Sequence, residues 1–533
     1  MLRATFRAAT LGALLFVNAA LAADGDWPSY NRTLTSERLA PQTEITRENV
    51  AKLAIVCSYD VEQDVSLQTG PIVVDGTLYG TTPSDTFAID AATCQERWRV
   101  KAPAPGLIKV NRGVAWSPGR VIRGLLDGRV VAYDAKSGKQ LWETKIADPA
   151  HAESIPAAPI VWSNLVFIGN AGGDFYGVKG RMYALDVATG KIAWEYYLVP
   201  KDHPATRPSG GPQSAEGIRD ATWGNMAGIP ISGGATWTSY TIDPASGLLY
   251  VPGGNPGPDF YSAVRPGANL YAGSVVVLDA RTGTYRAHYE IVPADYHDWD
   301  VSAAPVVTTT QGKQKRVLIA PKDGHLYGYD AVAHTRRFAT PVTTVENIKA
   351  PLTPEGTRFC PGSQGGVEWN GPAFDPKTNL AITGAADWCT TVWLAEKPPV
   401  KGSKGMPWTG ARAQNLFGKQ DPAEKWGGWI TATDADTGKV KWKLRTPAPA
   451  LSGITPTATG LTFAGDMAGN FYALDTATGK ELAKRKLDGA LGGGIVSYTV
   501  GGAQRLAVIT GTYSPIWPVP KAMSKIVVLG IRK

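Results

Sequence analysis

The side chains able to do chemistry in this sequence are mainly oxygen donors. Its 533 residues include only six histidines and four cysteines. No Gly-x-Ser-x-Gly elbow, phosphate-binding Gly-x-x-x-x-Gly-Lys-Ser/Thr loop or His-Glu-x-x-His helix motif occurs. Acyl transfer, nucleoside triphosphate chemistry and zinc peptidase chemistry therefore lack their working parts. What remains is carboxylates, amides and tryptophans in irregular stretches: Asp174 in AGGDFYGVKG, Asn255 in GGNPGPDF, Trp237 in GGATWTSY, and Asp295, Asp298 and Asp300 in PADYHDWDV. Carboxylate and amide oxygens are ligands for hard cations such as calcium. A solvated carboxylate titrates near about 4, so such an aspartate is expected to be ionised at neutral pH and able to accept a proton within hydrogen-bond reach. The plainer alternatives are that Asp174 only builds its turn and that the three clustered aspartates only decorate a loop.

The elements that must carry these residues are strands. An apolar strand ending in Asp, a turn with Thr-Gly or Ser-Gly, and a strand often closing on Trp recur along the chain: AIDAATCQERW, AYDAKSGKQLW, ALDVATGKIAW, VLDARTGTYRA, GYDAVAHTRRF, ATDADTGKVKW and ALDTATGKELA. Their aspartates are 90, 134, 186, 279, 330, 434 and 475. The shorter intervals match one four-stranded propeller blade, and Asp with Gly suits a tight hairpin. The two long intervals, after Asp186 and after Asp330, hold insertions. Strands around Cys57 and three at the C-terminus are left over, enough for an eighth blade that closes the ring and hides its edges. The expected fold is thus all-β, an eight-bladed propeller of four-stranded antiparallel blades. The stretches 201–220 and 397–425 lack strand periodicity and are expected to cover one mouth of the channel, where the site is placed.

With 43% hydrophobic and 19% charged residues, the chain can bury a large core. Arg3 and Arg7, the apolar run Leu11 to Val17, and Ala20-Leu21-Ala22 form a secretory leader. The domains are accordingly a signal peptide over 1–22 and one propeller over 23–533, exported to the periplasm. No later stretch is apolar for long enough to form a membrane helix, and no cysteine stands at the cleavage point, so no membrane anchor is expected. Removing the leader lowers the net charge from +8 to +6 by the loss of Arg3 and Arg7, a modest surplus read as spread over a large surface. Nucleic acid is not an expected partner. Four cysteines in an exported chain suggest disulfides. Of three possible pairings, Cys360 with Cys389 and Cys57 with Cys94 are expected. No Cys-x-x-Cys-His haem site is present.

The stretches VNRGVAW, AGGDFYGVKG, GGNPGPDF with RPGANLY, and PADYHDWDV, in this order, resemble the signature stretches of the pyrroloquinoline quinone (PQQ)-dependent alcohol dehydrogenases, and the likeness runs from Trp27 to the C-terminus. The resemblance implies PQQ in the central channel and a metal ion, calcium or alternatively a lanthanide, between quinone and protein. It assigns Asp174, Asn255 and Asp298 to the metal and makes Asp298 the base that takes the alcohol proton. Asp300 falls where lanthanide-dependent members carry an extra carboxylate, and it is expected as a fourth metal ligand. Trp237 matches the tryptophan stacked on the quinone, Arg112 and Lys322 match cationic donors at its polar edge, and Gln68, Gly172 and Gly173 match further cofactor contacts. The electrons would pass to a separate soluble cytochrome c, and a homodimer is compatible with the family. Several positions depart from the pattern. Gly106-Leu107 replaces a vicinal cysteine pair, Asp174 replaces a longer Glu with one residue inserted at Phe175 or Tyr176, Glu368 stands where Asn is frequent, and Gln68 where Glu is frequent. The competing readings are a non-enzymatic propeller scaffold of the outer-membrane assembly type, and a propeller hydrolase or lyase acting on polysaccharide.

Overall fold

In a computed structural model of the chain, residues 25–63, 65–202, 214–514 and 516–532 are described; the leader lies outside them, as does 203–213 of the first insertion. Seven four-stranded antiparallel sheets follow one another at 72–101, 115–145, 160–197, 241–290, 306–341, 373–446 and 455–486. Within each, strands pair in chain order. The eighth sheet joins Leu53–Gln63 to Met523–Ile531, followed by Ala503–Thr510 and Ile495–Val500. We number these sheets as blades 1 to 8. Eight blades closed by both ends of the chain is the architecture expected from the hairpin repeat and its leftover strands. Each long interval holds one blade widened by a loop.

The repeat is a device for building and joining blades. Its aspartate caps the hairpin: Asp134 Oδ1 accepts from Ser137 N (2.9 Å) and Ser137 Oγ (2.7 Å), and Asp186, Asp434 and Asp475 hold their Thr in the same way. The glycine that follows takes positive φ, 70° at Gly138, a conformation costly for side-chain-bearing residues. It also leaves room for the neighbouring blade, because a Cβ at Gly138 would meet the Trp98 ring at 2.8 Å. The closing tryptophans donate their indole N–H across the same joint: Trp98 to Ala135 O, Trp142 to Val187 O and Trp194 to Ala280 O at 3.0 Å, and Trp442 to Thr476 O at 2.9 Å. Between blades lie apolar clusters. The largest runs from Ile122 in blade 2 through Val166 and Phe167 to Ile242 and Val276 in blade 4.

Both expected disulfides are present. Cys57–Cys94 ties the N-terminal strand of blade 8 to the last hairpin of blade 1, across the ring closure. Cys360–Cys389 joins the segments beside the paired strands Thr357–Phe359 and Thr390–Val392, outside blade 6.

Antiparallel order fixes where chemistry is possible. The hairpins between strands one and two, and those between three and four, lie on one face of the ring. The loops between strands two and three, and the connections between blades, lie on the other. The repeat occupies the first face, leaving the second for the irregular motifs.

Candidate active site

Every predicted site residue comes from that second face. Asp174, Asn255 and Lys322 sit between strands two and three of blades 3, 4 and 5. Gln68, Arg112, Trp237, Asp298 and Asp300 sit just before the first strands of blades 1, 2, 4 and 5. Gln68, Arg112, Gly172, Gly173, Asp174, Trp237, Asp298, Asp300 and Lys322 all line one cavity of about 850 Å³. Asn255 is buried directly behind it, 1% exposed. Part of the second insertion lines the same cavity through Asn415, Phe417 and Lys419. It is pinned to the Asp174 loop by Trp408 N to Asp174 O (2.7 Å) and Tyr176 N to Met406 O (3.2 Å). The described helix of the first insertion, Ala215–Asp220, is not among the lining segments. Its Ala215 O accepts from the Tyr271 hydroxyl, and its Arg219 donates to Tyr197 O.

Two subsites share the cavity. One is cationic and flat. Arg112 stands with its guanidinium carbon 4.5 Å from the Trp237 ring centre and 5.2 Å from that of Trp369, and Lys322 Nζ lies 5.9 Å from Trp237. Arg112 Nε and Nη1 and Gln68 Oε1 are buried with no hydrogen-bond partner among the described residues. Burial lowers Arg112 to about 10, still cationic at neutral pH. A Cβ at Gly172 would meet Ala152 O at 2.6 Å, and one at Gly173 the Ala235 methyl at 3.2 Å, so the glycines keep the backbone close to the cavity. Unpaired buried donors beside an aromatic face fit a planar polyanion.

The other subsite is acidic. Oxygens of Asp174, Asp259 and Asp298 lie within 4.8 Å of one another, and Asn255 Nδ2 donates to Asp259 Oδ1 at 3.0 Å. Asp300 is held differently: Oδ1 accepts from Asn255 N (3.0 Å), and Oδ2 pairs with Lys322 Nζ (2.7 Å), which is also 3.7 Å from Asp298. Convergent hard oxygens fit a di- or trivalent cation.

Burial overturns the picture of a solvated, freely ionised aspartate. Asp298 is 5% exposed and its carboxyl is pushed well above the usual range, first by desolvation, against the pull of Lys322 and with repulsion from Asp174 and Asp259. Asp174 rises to about 6, through burial and the charge of Asp300. Glu368 rises to about 7, through burial, with Lys322 and Asp300 acting in opposite directions. Lys322 would be lowered by its own burial, but Asp298, Asp300 and Glu368 outweigh it and raise its pKa well above the usual value. Without a bound cation, burial favours the protonated form of Asp298, while Asp174, at about 6, is mostly ionised at neutral pH. A cation there would favour the ionised form of Asp298.

Sequence reasoning missed Asp259, although it stands four residues after Asn255 in the same run. It also missed the support of that loop. Arg265 of RPGANLY, fully buried, donates to Pro258 O (3.0 Å), Asp259 O (3.2 Å), Asp295 O (2.5 Å) and Asn269 Oδ1 (2.8 Å). Asp295 in turn accepts from His297 N and Trp299 N, which shapes the turn presenting Asp298 and Asp300. Asp298 itself has φ of 67°, a strained value for a non-glycine residue and common at functional sites. Leu107, 70% exposed, stands at the mouth in place of a cysteine pair. Trp388 and Trp517, 5.9 Å apart, add an aromatic wall.

The chain is similar to known proteins over most of its length. Residues 27–335 match the β-propeller domain family of glucose, ethanol and alcohol dehydrogenases, and 427–510 match the outer membrane protein assembly factor BamB family. The chain is 32% identical to quinohemoprotein alcohol dehydrogenase ADH IIB of Pseudomonas putida, over 93% of this chain and 74% of that one. It is 30% identical to the lanthanide-dependent methanol dehydrogenase of Methylacidiphilum fumariolicum, over 91% and 85%. The solved structure of quinohemoprotein alcohol dehydrogenase ADHIIG from Pseudomonas putida HK5 superposes with a TM-score of 0.84 at 27% identity, covering 95% of this chain and 80% of that one. The stretch resembling the assembly factor is confined to blades 6 to 8 and contains none of the clustered site residues.

Proposed function

This chain belongs to the PQQ-dependent alcohol dehydrogenase family, and from that premise we propose that Asp298 is its catalytic base, in a site where Arg112, Trp237, Gln68, Lys322, Gly172 and Gly173 hold PQQ and Asp174, Asn255 and Asp298 hold the metal. The protein is an oxidoreductase that acts on small alcohols with PQQ and a metal ion. The observation carrying the residue assignment is the adjoining pair of subsites: unpaired buried donors on an aromatic floor, and convergent carboxylates at its edge.

When bound, PQQ would accept the hydride of the alcohol, which carries both electrons, and the metal would supply Lewis-acid polarisation. The chain supplies the rest. Arg112 would offer its unpaired donors to the anionic edge of the cofactor, Gln68 an acceptor oxygen, and Trp237 an aromatic face. Lys322 neutralises Asp300 and provides a cationic donor beside the developing charge. Asp298, deprotonated once its protons are displaced, takes the hydroxyl proton of the alcohol as hydride leaves the carbon. Trp388, Phe417 and Leu107 wall the mouth with apolar surface and limit water there.

The family likeness and the basic leader support a secreted chain, which we place in the periplasm with the mature propeller over 23–533. A soluble cytochrome c is the proposed electron acceptor. Calcium and lanthanides both accept this ligand set, and Asp300, two residues beyond the base, adds negative charge beside it.

The test is dye-linked alcohol oxidation by cofactor-free protein supplied with PQQ and calcium, PQQ and lanthanum, or PQQ alone. Activity should require PQQ and one ion. Asp298→Asn should lower kcat by about 10²–10⁴-fold while PQQ still binds. A protein that binds no PQQ with either ion would refute the assignment.

A further inference from the structure

Among the described residues, Asp259 is the acid of the site that has a fully buried carboxylate oxygen with no hydrogen-bond partner. It is fully buried, and its Oδ1 is occupied by the Asn255 amide at 3.0 Å. Its Oδ2 is buried with no partner among the described residues, and one of its carboxylate oxygens lies within 4.8 Å of oxygens of Asp174 and Asp298. Asp300 presents the opposite case, with one oxygen on Asn255 N and the other on Lys322. A buried carboxylate with an unsatisfied oxygen is expensive unless a cation meets it. Arg265 does not fill that role: its donors go to the backbone carbonyls of Pro258, Asp259 and Asp295 and to Asn269, which places the loop without pairing the carboxylate.

Resting on the metal and PQQ reading above, we propose that Asp259 is a direct ligand of the bound ion, so that three aspartates, 174, 259 and 298, surround it with Asn255, and Asp300 serves as the counterion of Lys322. Three carboxylates on one ion favour a trivalent over a divalent cation, because ligand charge sets affinity in oxygen sites. The site is therefore built to select a lanthanide through Asp259.

Isothermal titration of cofactor-free protein with lanthanum chloride or calcium chloride alone tests this without any turnover. Asp259→Asn, nearly isosteric, should weaken lanthanum binding by about 10–100-fold and calcium binding by less, narrowing the ratio between them. An unchanged ratio with folded variant would overturn the role of Asp259 and leave the metal site itself standing. Wild-type protein that binds neither ion would overturn both readings. Anomalous diffraction from wild-type crystals grown with terbium gives a check independent of any variant. An Asp259 oxygen at about 2.3–2.6 Å from the ion supports direct ligation, and a water or another residue in that place refutes it.

Discussion

Replacing Lys322 by Met removes the ammonium that answers the acidic subsite while keeping most of its stem. Lys322 Nζ lies 2.7 Å from Asp300 and 3.7 Å from Asp298, and the three side chains are 11%, 7% and 7% exposed, so the pair is buried and poorly screened. Breaking such a pair on one side costs about 3–5 kcal/mol. Unfolding entropy near about 2 cal/mol/K per residue gives a chain of this length about 1 kcal/mol/K, so the cofactor-free variant should melt about 3–5 °C below wild type. The loss should be greater at pH 8 than at pH 5, because protonation relieves the stranded carboxylates. Lys322→Met with Asp300→Asn should recover most of it, since a neutral pair of similar shape leaves no charge unanswered. Differential scanning calorimetry of the wild type, the single variant and the double variant at both pH values measures this. A double variant as unstable as the single one, or a loss equal at both pH values, would refute the ion pair as the source.

Two further outcomes follow from other contacts. Glu368, raised to about 7 by burial, binds its proton more tightly in the folded state, so the stability this adds is complete below the ordinary carboxylate range and is lost as pH rises through about 7. Cofactor-free protein should lose about 3 kcal/mol from this group between pH 4 and 8, and Glu368→Gln should flatten the dependence of melting temperature on pH; an unaltered slope would contradict it. At the blade joints, Trp194→Phe removes the donor to Ala280 O and leaves a carbonyl unpaired. It should cost about 1–3 kcal/mol, seen by calorimetry as a fall of about 1–3 °C with PQQ affinity unchanged; a variant that melts with wild type would show the hydrogen bond to be dispensable.

The propeller was legible because its repeat is local. Asp134 with Ser137, the glycine at 138 and the tryptophan at 98 are read directly from the sequence, and together they dictate a hairpin and its docking onto the next blade. The acidic subsite was legible only through family resemblance, since Asp174, Asn255 and Asp298 come from three successive blades and meet only when those blades pack side by side. Asp259 escaped because spacing along an irregular loop does not reveal which side chain turns inward. Its direction is set by Arg265, through hydrogen bonds to carbonyls on two different loops. The elevated pKa values escaped for the same reason: desolvation is a property of the assembled mouth.

The charge balance of the closed mouth explains why so unfavourable an arrangement is kept. Asp174, Asp259, Asp298, Asp300 and Glu368 surround the cavity, answered inside it by Arg112 and Lys322. Fully ionised, these side chains carry three more negative than positive charges, a state the protein alone avoids by retaining protons. A trivalent ion would supply the missing charge at the acidic end, while an anionic cofactor would claim the free donors of Arg112 at the other. Each ligand thus removes a different electrostatic fault, and binding one should favour binding the other, because the cation lies where the developing negative charge of the reduced quinone must be stabilised. The strain at Asp298 and the unsatisfied oxygen of Asp259 are the features expected of a site whose native charge state is reached only when both are bound.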